Sequence, residues 1–350
     1  MSKVQSYIPD VLDAHFDEAV FLYGEFVAET SAMNTPDSVY LDRVIGRLKA
    51  NLHGLALNET IAWTYCDTAV DSDDPGEFFV ASFLAFLSGD LEKIKPLADA
   101  AHSSAELLKA TSDALAWHPW SLSSFWATKF VSAKKIELAA AGFNCFAQHQ
   151  QTAPLELVSL VQRALSERHL GATLLLLDLA VKHTDTSVVP ALQSFPVEAV
   201  NALTFHVLSV RLRLGDLSAL DDLKAFVLAE NEFREAVITL ALPLLDKIEA
   251  KKWVAEIKAT PNSERWVLLS IGAMKEKVLL PWVIKQMESV ALSRIAGKVF
   301  TQLTGIDLKE KQWLLNDDSI DQKWMELEGD EELDWPDVHK IKQAMQGMGG

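Results

Sequence analysis

The stretch FLSGDLEKIKPLADAAHSSAELLKA, Phe86 to Ala110, meets a counterpart later in the chain, RLGDLSALDDLKAFVLAENEFREA, Arg213 to Ala236. Gly89, Asp90 and Leu91 fall on Gly215, Asp216 and Leu217, a shift of 126 residues. The same shift carries Ile94 to Leu220, Leu97 to Leu223, Glu106 to Glu232, Leu107 to Phe233 and Ala110 to Ala236, with no gap. In each copy GDL reads as punctuation between helices. The glycine takes the left-handed position that ends one helix, and the aspartate accepts backbone N–H groups at the start of the next. Ile94 and Leu97, like Leu220 and Leu223, then face inward. Glu106 and Glu232 stand near the start of a third helix, where the helix dipole favours a negative charge. Any two helical segments share leucine spacing by chance, but a contiguous GDL with five further matches points to an internal repeat. The shift divides into three units of about 42 residues, inside the range of HEAT and armadillo helix pairs. LPWVIKQMESVALSRIAGKVFTQLTG (280–305) reads as a further, weaker unit.

Outward from this pair the periodicity stays helical. In DVLDAHFDEAVFLYGEFVAE, residues Val11, Leu12, His15, Phe16, Ala19, Val20, Leu22, Tyr23 and Phe26 follow the i, i+3, i+4 pattern behind an N-cap at Asp10. DSVYLDRVIGRLKANLHGLAL repeats it, and a third helix is expected over Glu59 to Ala69. VDSDDPGE then breaks the chain, with Pro75 suited to a first helical turn. From Phe78 onward, helices of roughly 10–18 residues alternate with breakers such as HPWS, QTAP, HTDTS and TPNS. No alternating strand pattern appears. The expected fold is all-α, a HEAT-like α-solenoid of antiparallel helix pairs. Residues 1–72 form an N-terminal helical cap, 73–305 the repeats, and 306–350 an acidic tail that is partly packed and loose at its end.

Between Asp307 and Asp337 the tail carries 12 Asp/Glu against 3 Lys. It also holds Trp313, Trp324 and Trp335, more aromatic surface than a purely solvated tail uses. An acidic segment punctuated by tryptophans suits a docking surface for a basic partner.

The net charge of -17 disfavours non-specific binding to nucleic acid or anionic membrane, because phosphates are repelled. No apolar stretch approaches the roughly 20 residues that span a bilayer. The opening MSKVQSYIPD has neither an apolar core nor a cleavage-like site, which predicts no signal peptide. Two cysteines, Cys66 and Cys145, make no disulfide framework. A cytoplasmic protein is expected.

Reactive constellations are thin. Cys145 and His149 stand at i, i+4, but a zinc site needs three or four ligands and no second pair follows, so core packing is the reading. Nine scattered histidines form no HExxH, and those at 102, 118, 169 and 183 fall at helix ends, where a cation suits the C-terminal dipole. There is no GxGxxG, P-loop or GxSxG. DSDDPGE lacks the spacing of a calcium loop and reads as a helix cap. ALAWHPWSLSSFW concentrates Trp117, Trp120, Phe125 and Trp126 at a helix corner, a packing junction first and an aromatic anchor second. No catalytic residue, cofactor or metal is expected.

EAVFLYGEF, DDPGEFFVASFLAFLSGDLEKIKPL, SDALAWHPW, GKVFTQLTGIDL and DEELDWPD resemble, in order, landmarks of an uncharacterised bacterial family of HEAT-repeat-like proteins encoded near type VI secretion system genes. The resemblance spans about residues 11–340, and LTGIDL and DWPD are its most distinctive motifs. Residues from about 120 to 200 depart from the pattern. The resemblance implies an accessory role in secretion, in effector loading or binding, and brings no catalytic residues. The functional expectation is a non-enzymatic scaffold, adaptor or chaperone that binds a protein, such as a secreted effector or a spike component. An immunity protein against a toxin is the close variant, and an enzyme with a pocket on a helical scaffold is the competing class. The residues expected to meet a partner are Trp313, Trp324, Trp335, Asp334, Asp337 and Trp120.

Overall fold

The computed structural model describes residues 8–30, 38–66, 69–197, 199–316 and 330–348. The chain is all-α: the described residues contain only an isolated bridge between Leu314 and Pro336 as extended pairing. It divides into two compact units, 1–196 with 213–215, and 197–212 with 216–350.

In the first unit α1 (Pro9–Thr30), α4 (Pro75–Ser88), α6 (Ala105–Trp117), α8 (Ile136–Gln148) and α10 (Leu170–Lys182) pack each against the next. A second layer covers them: α2 (Ser38–Ala56) on α1, α5 (Leu91–Ala100) on α4, α7 (Trp120–Val131) on α8, and α9 (Leu157–Ser166) on α10. The expected third helix is shorter, α3 (Glu59–Ala62) running into a 3-10 turn at Trp63–Cys66. The five-residue α11 (Val189–Gln193) packs on α9. In the second unit α14 (Arg234–Ala241), α16 (Glu264–Ala273) and α18 (Val290–Thr304) form the row. They are backed by α13 (Ala219–Leu228), α15 (Lys247–Lys258) and α17 (Leu280–Gln286), while α12 (Ala202–Arg213) gives Phe205, Leu208 and Leu212 to their core. A last helix, α19 (Val338–Met348), lies on α17 and buries Ile341.

The two GDL motifs sit in matching surroundings. Gly89 (φ 68°) and Gly215 (φ 91°) both take left-handed backbone, which a Cβ would strain. Asp90 accepts from the Glu92 N–H at 3.0 Å, and Asp216 accepts from the Ser218 N–H at 3.2 Å. Leu91 and Leu217 both face solvent, 57% and 54% exposed, while Ile94, Leu97, Leu220 and Leu223 are buried. Asp216 carries an additional load: its other carboxylate oxygen accepts from the buried Arg211 Nε at 2.8 Å. The third helices match less closely. Glu106 is the second residue of α6, whereas Glu232 lies two residues ahead of α14.

The spacing of the units is shorter than expected. In chain order, every second helix from α4 to α18 begins at residues 75, 105, 136, 170, 202, 234, 264 and 290, steps of 30, 31, 34, 32, 32, 30 and 26. The 126-residue shift is therefore four helix-pair steps rather than three units of about 42. The cause is the brevity of the second-layer helices, such as the ten residues of α5, α9 and α13. Two short helices and two tight turns fill about 32 residues.

Candidate functional site

The aromatic corner at 117–126 is largely a packing junction. The Trp117 ring stands edge-on to Phe79 and Phe26, at centroid distances of 5.7 and 5.3 Å. Trp126 is buried beside Phe86 and Phe130. Trp120 is half-buried, edge-on to Phe146 at 5.0 Å and near His149 at 5.4 Å. His118 corrects the helix-end expectation. Its Nε2 lies 2.9 Å from the Phe83 carbonyl, its ring stacks on Phe83 at 4.1 Å, and burial lowers its pKa to about 4. It is neutral and brings no cation to the α6 dipole. His169 differs as well: its Nδ1 accepts from the Ala172 N–H at 3.1 Å, so it caps the start of α10 rather than an end. Cys145 is buried, and desolvation raises its thiol to about 11, which keeps it protonated and unreactive. Ser123, 3.4 Å from His149 Nε2, is likewise buried.

The tail residues are joined to the second unit. The segments 313–315 and 335–337 exchange backbone hydrogen bonds, Leu315 N–H to the Trp335 carbonyl at 2.9 Å and Asp337 N–H to the Trp313 carbonyl at 2.8 Å. Trp335 is only 9% exposed, with the Arg294 guanidinium 4.8 Å from its ring centre. Trp313 is half-buried against the same core. Asp337 caps α19 by accepting from the His339 and Lys340 N–H groups at 3.1 and 3.2 Å. Asp334 faces solvent. Trp324 lies outside the described residues. In LTGIDL, Gly305 (φ 72°) ends α18, Asp307 accepts from the Lys309 N–H at 2.7 Å, and Leu308 is core. These motif residues therefore hold the fold.

A different place carries surface chemistry. In the first unit, α1, the start of α4 and the start of α6 enclose a groove of about 590 Å³, within the size range of ligand sites. Its floor is apolar: Phe16, Val20, Phe21, the Tyr23 ring and Val27. Phe21 is 60% exposed, a large aromatic face left to solvent. Beneath the floor the Tyr23 hydroxyl donates to Asp113 at 3.1 Å, and Lys109 Nζ reaches the same carboxylate at 2.7 Å. Burial, reinforced by the Asp113 charge, holds the Tyr23 hydroxyl well above its usual pKa. Among the described residues the rim is acidic, with Asp17, Glu25, Asp74, Glu77 and Glu106 against Lys109.

The rim is assembled by helix starts. Asp74 caps α4, accepting from the Gly76 and Glu77 N–H groups at 2.7 and 3.3 Å, with Pro75 in the first turn. Ser104 caps α6 by accepting from the Leu107 N–H at 3.0 Å. Both caps put a glutamate in the first turn, Glu77 and Glu106, where the dipole favours it. Packing of α1 on α4 and of α4 on α6 then brings these glutamates to one groove with Asp17. None of the groove residues was a site candidate from sequence. The one available signal was Phe21, an aromatic that falls off the apolar stripe of α1.

No protein-family model, curated protein or solved structure matches this chain. Among the described residues no helix is long and apolar enough to cross a membrane, and no group of three or more His, Cys, Asp or Glu is placed to hold a metal ion.

Proposed function

We propose that this chain is a non-enzymatic protein-binding scaffold, an adaptor or chaperone that holds a partner on the first unit. The observation that carries the reading is the open groove of α1, α4 and α6, whose apolar lining includes the exposed Phe21. An aromatic beside a concave apolar surface is the usual composition of an interface anchor. The side-by-side helix pairs support it further, since such arrays offer extended surfaces for proteins. The sequence resemblance supports a setting beside type VI secretion, with an effector or a spike component as the partner held.

Site-specific photo-crosslinking tests the reading. A photoreactive phenylalanine analogue replaces Phe21 in one version of the full chain and Val278 in another; Val278 is 85% exposed, in the second unit. Irradiation in the native cells is expected to join a discrete protein to the chain at position 21 and not at 278, and mass spectrometry identifies it. No product at 21, or the same products at both positions, overturns the reading.

A further inference from the structure

Resting on that protein-binding reading, we propose that the groove takes a lysine- and arginine-bearing segment of its partner, with an apolar side chain of that segment seated against Val20 and Phe21. The charges on the rim point to this chemistry. Glu25 is occupied by the Tyr40 hydroxyl, and Asp74 by the N–H groups it caps. Lys109, the single cation among the described lining residues, is held by Asp113 at 2.7 Å. That leaves Asp17, Glu77 and Glu106, whose carboxylates have no hydrogen-bond or ion-pair partner among the described residues. Three carboxylates with no countercharge among the described residues thus surround an apolar surface.

A purely apolar segment would cover these carboxylates without pairing them, at a desolvation cost. An acidic segment would be repelled. A cationic segment whose apolar side chain enters the groove meets both features at once, because long lysine and arginine stems cover apolar surface while their heads reach the rim. A shared metal ion does not fit the same carboxylates, which form no cluster of metal-holding geometry.

The experiment uses the full-length protein and three labelled helical peptides of equal length and equal leucine content, with lysine, glutamine or glutamate at the polar positions. Anisotropy is expected to show the lysine peptide binding about tenfold or more tightly than the glutamine peptide, and the glutamate peptide not binding. Raising salt from about 0.05 M to about 0.5 M removes most of the lysine advantage. The Asp17→Asn, Glu77→Gln, Glu106→Gln triple variant weakens lysine-peptide binding about tenfold and leaves glutamine-peptide binding unchanged. Phe21→Ser weakens both. Circular dichroism checks that each variant is folded.

Equal binding of the lysine and glutamine peptides, or a triple variant that binds the lysine peptide as wild type does, overturns the cationic assignment. It leaves the groove as a protein site wherever Phe21→Ser still weakens binding. Failure of all three peptides overturns the assignment too. In that case crosslinking at position 21 separates the two ideas: a captured protein keeps the scaffold reading, and no captured protein ends both.

Discussion

Two acidic regions of this molecule are built differently. In the second unit Glu235 and Asp330 are answered within the unit. Arg265 Nη2 lies 2.6 Å from one Asp330 oxygen and 3.3 Å from Glu235, and Lys298 Nζ lies 3.0 Å from Glu235. The tail beside them is closed over a core that includes Trp335 and Ile341. In the first unit Asp17, Glu77 and Glu106 surround Val20 and Phe21, and no described residue supplies them a cation. A carboxylate cluster that brings its own cations stabilises its unit; one whose described neighbours supply none presents its charge to solvent. The aromatics follow the same division, with Trp335 shut in and Phe21 left out.

The sharpest way to break this comparison is to truncate one aromatic in each region. Trp335→Ala empties a buried site between α18 and the tail and is expected to cost about 3–4 kcal/mol. Phe21→Ala removes a mostly exposed ring and is expected to change stability by no more than about 0.5 kcal/mol. Urea unfolding followed by circular dichroism reads both. Equal costs would mean that Phe21 is a core residue in solution and that the groove is closed.

The next effect is electrostatic. Arg265→Ala leaves Asp330 half-buried without its guanidinium and is expected to destabilise the second unit by about 2 kcal/mol at neutral pH, less than a fully enclosed pair would lose. The pH dependence has a definite sign. The hydrogen bond from Arg265 holds the Asp330 pKa below its ordinary value, so the folded state binds the proton less readily than the unfolded chain. The stabilisation is complete above the ordinary carboxylate range and fades as pH falls through the depressed value. Wild type and Arg265→Ala are therefore expected to converge in acid. A gap between them that stays constant from pH 7 to about pH 3 would assign the loss to packing instead of charge.

Much of the fold is legible in the sequence, because helix punctuation is local. GDL predicts the left-handed glycine and the outward leucine of both copies; the aspartate caps a helix at Asp90, whereas α13 begins only at Ala219 behind Ser218, and Asp216 accepts from the Ser218 N–H in the turn before it. The period is less legible. A shift of 126 divides as readily into four as into three, and helix length decides between them; segments such as VVPALQ fold into only five helical residues. The tail is less legible for a related reason. With no regular period from 306 to 337, nothing local distinguishes a tryptophan for docking from one for packing. Trp335 is buried through pairing of 335–337 with 313–315. The groove was hidden by distance along the chain. Asp17, Glu77 and Glu106 come from three helices, and Glu77 and Glu106 each look like an ordinary first-turn glutamate. The cue the sequence does hold is Phe21, an aromatic on the polar side of α1.

The smallest expected effect tests the open rim most directly. Glu77 and Glu106 each gain from a helix dipole, about 0.3–1 kcal/mol at a surface. They also stand with Asp17 in a region of like charge, and repulsion among exposed charges is of similar size. The two contributions oppose, so the Asp17→Asn, Glu106→Gln double variant is expected to match wild-type stability within about 0.5 kcal/mol in urea. Salt screens the dipole attraction and the repulsion alike, so wild type and the double variant are expected to respond to added salt in the same way. A loss above about 1 kcal/mol in the double variant would show that these carboxylates hold α1 and α6 in place, as Glu235 and Asp330 do in the second unit. The rim would then have found its countercharge within the chain, and no partner would be needed to supply it.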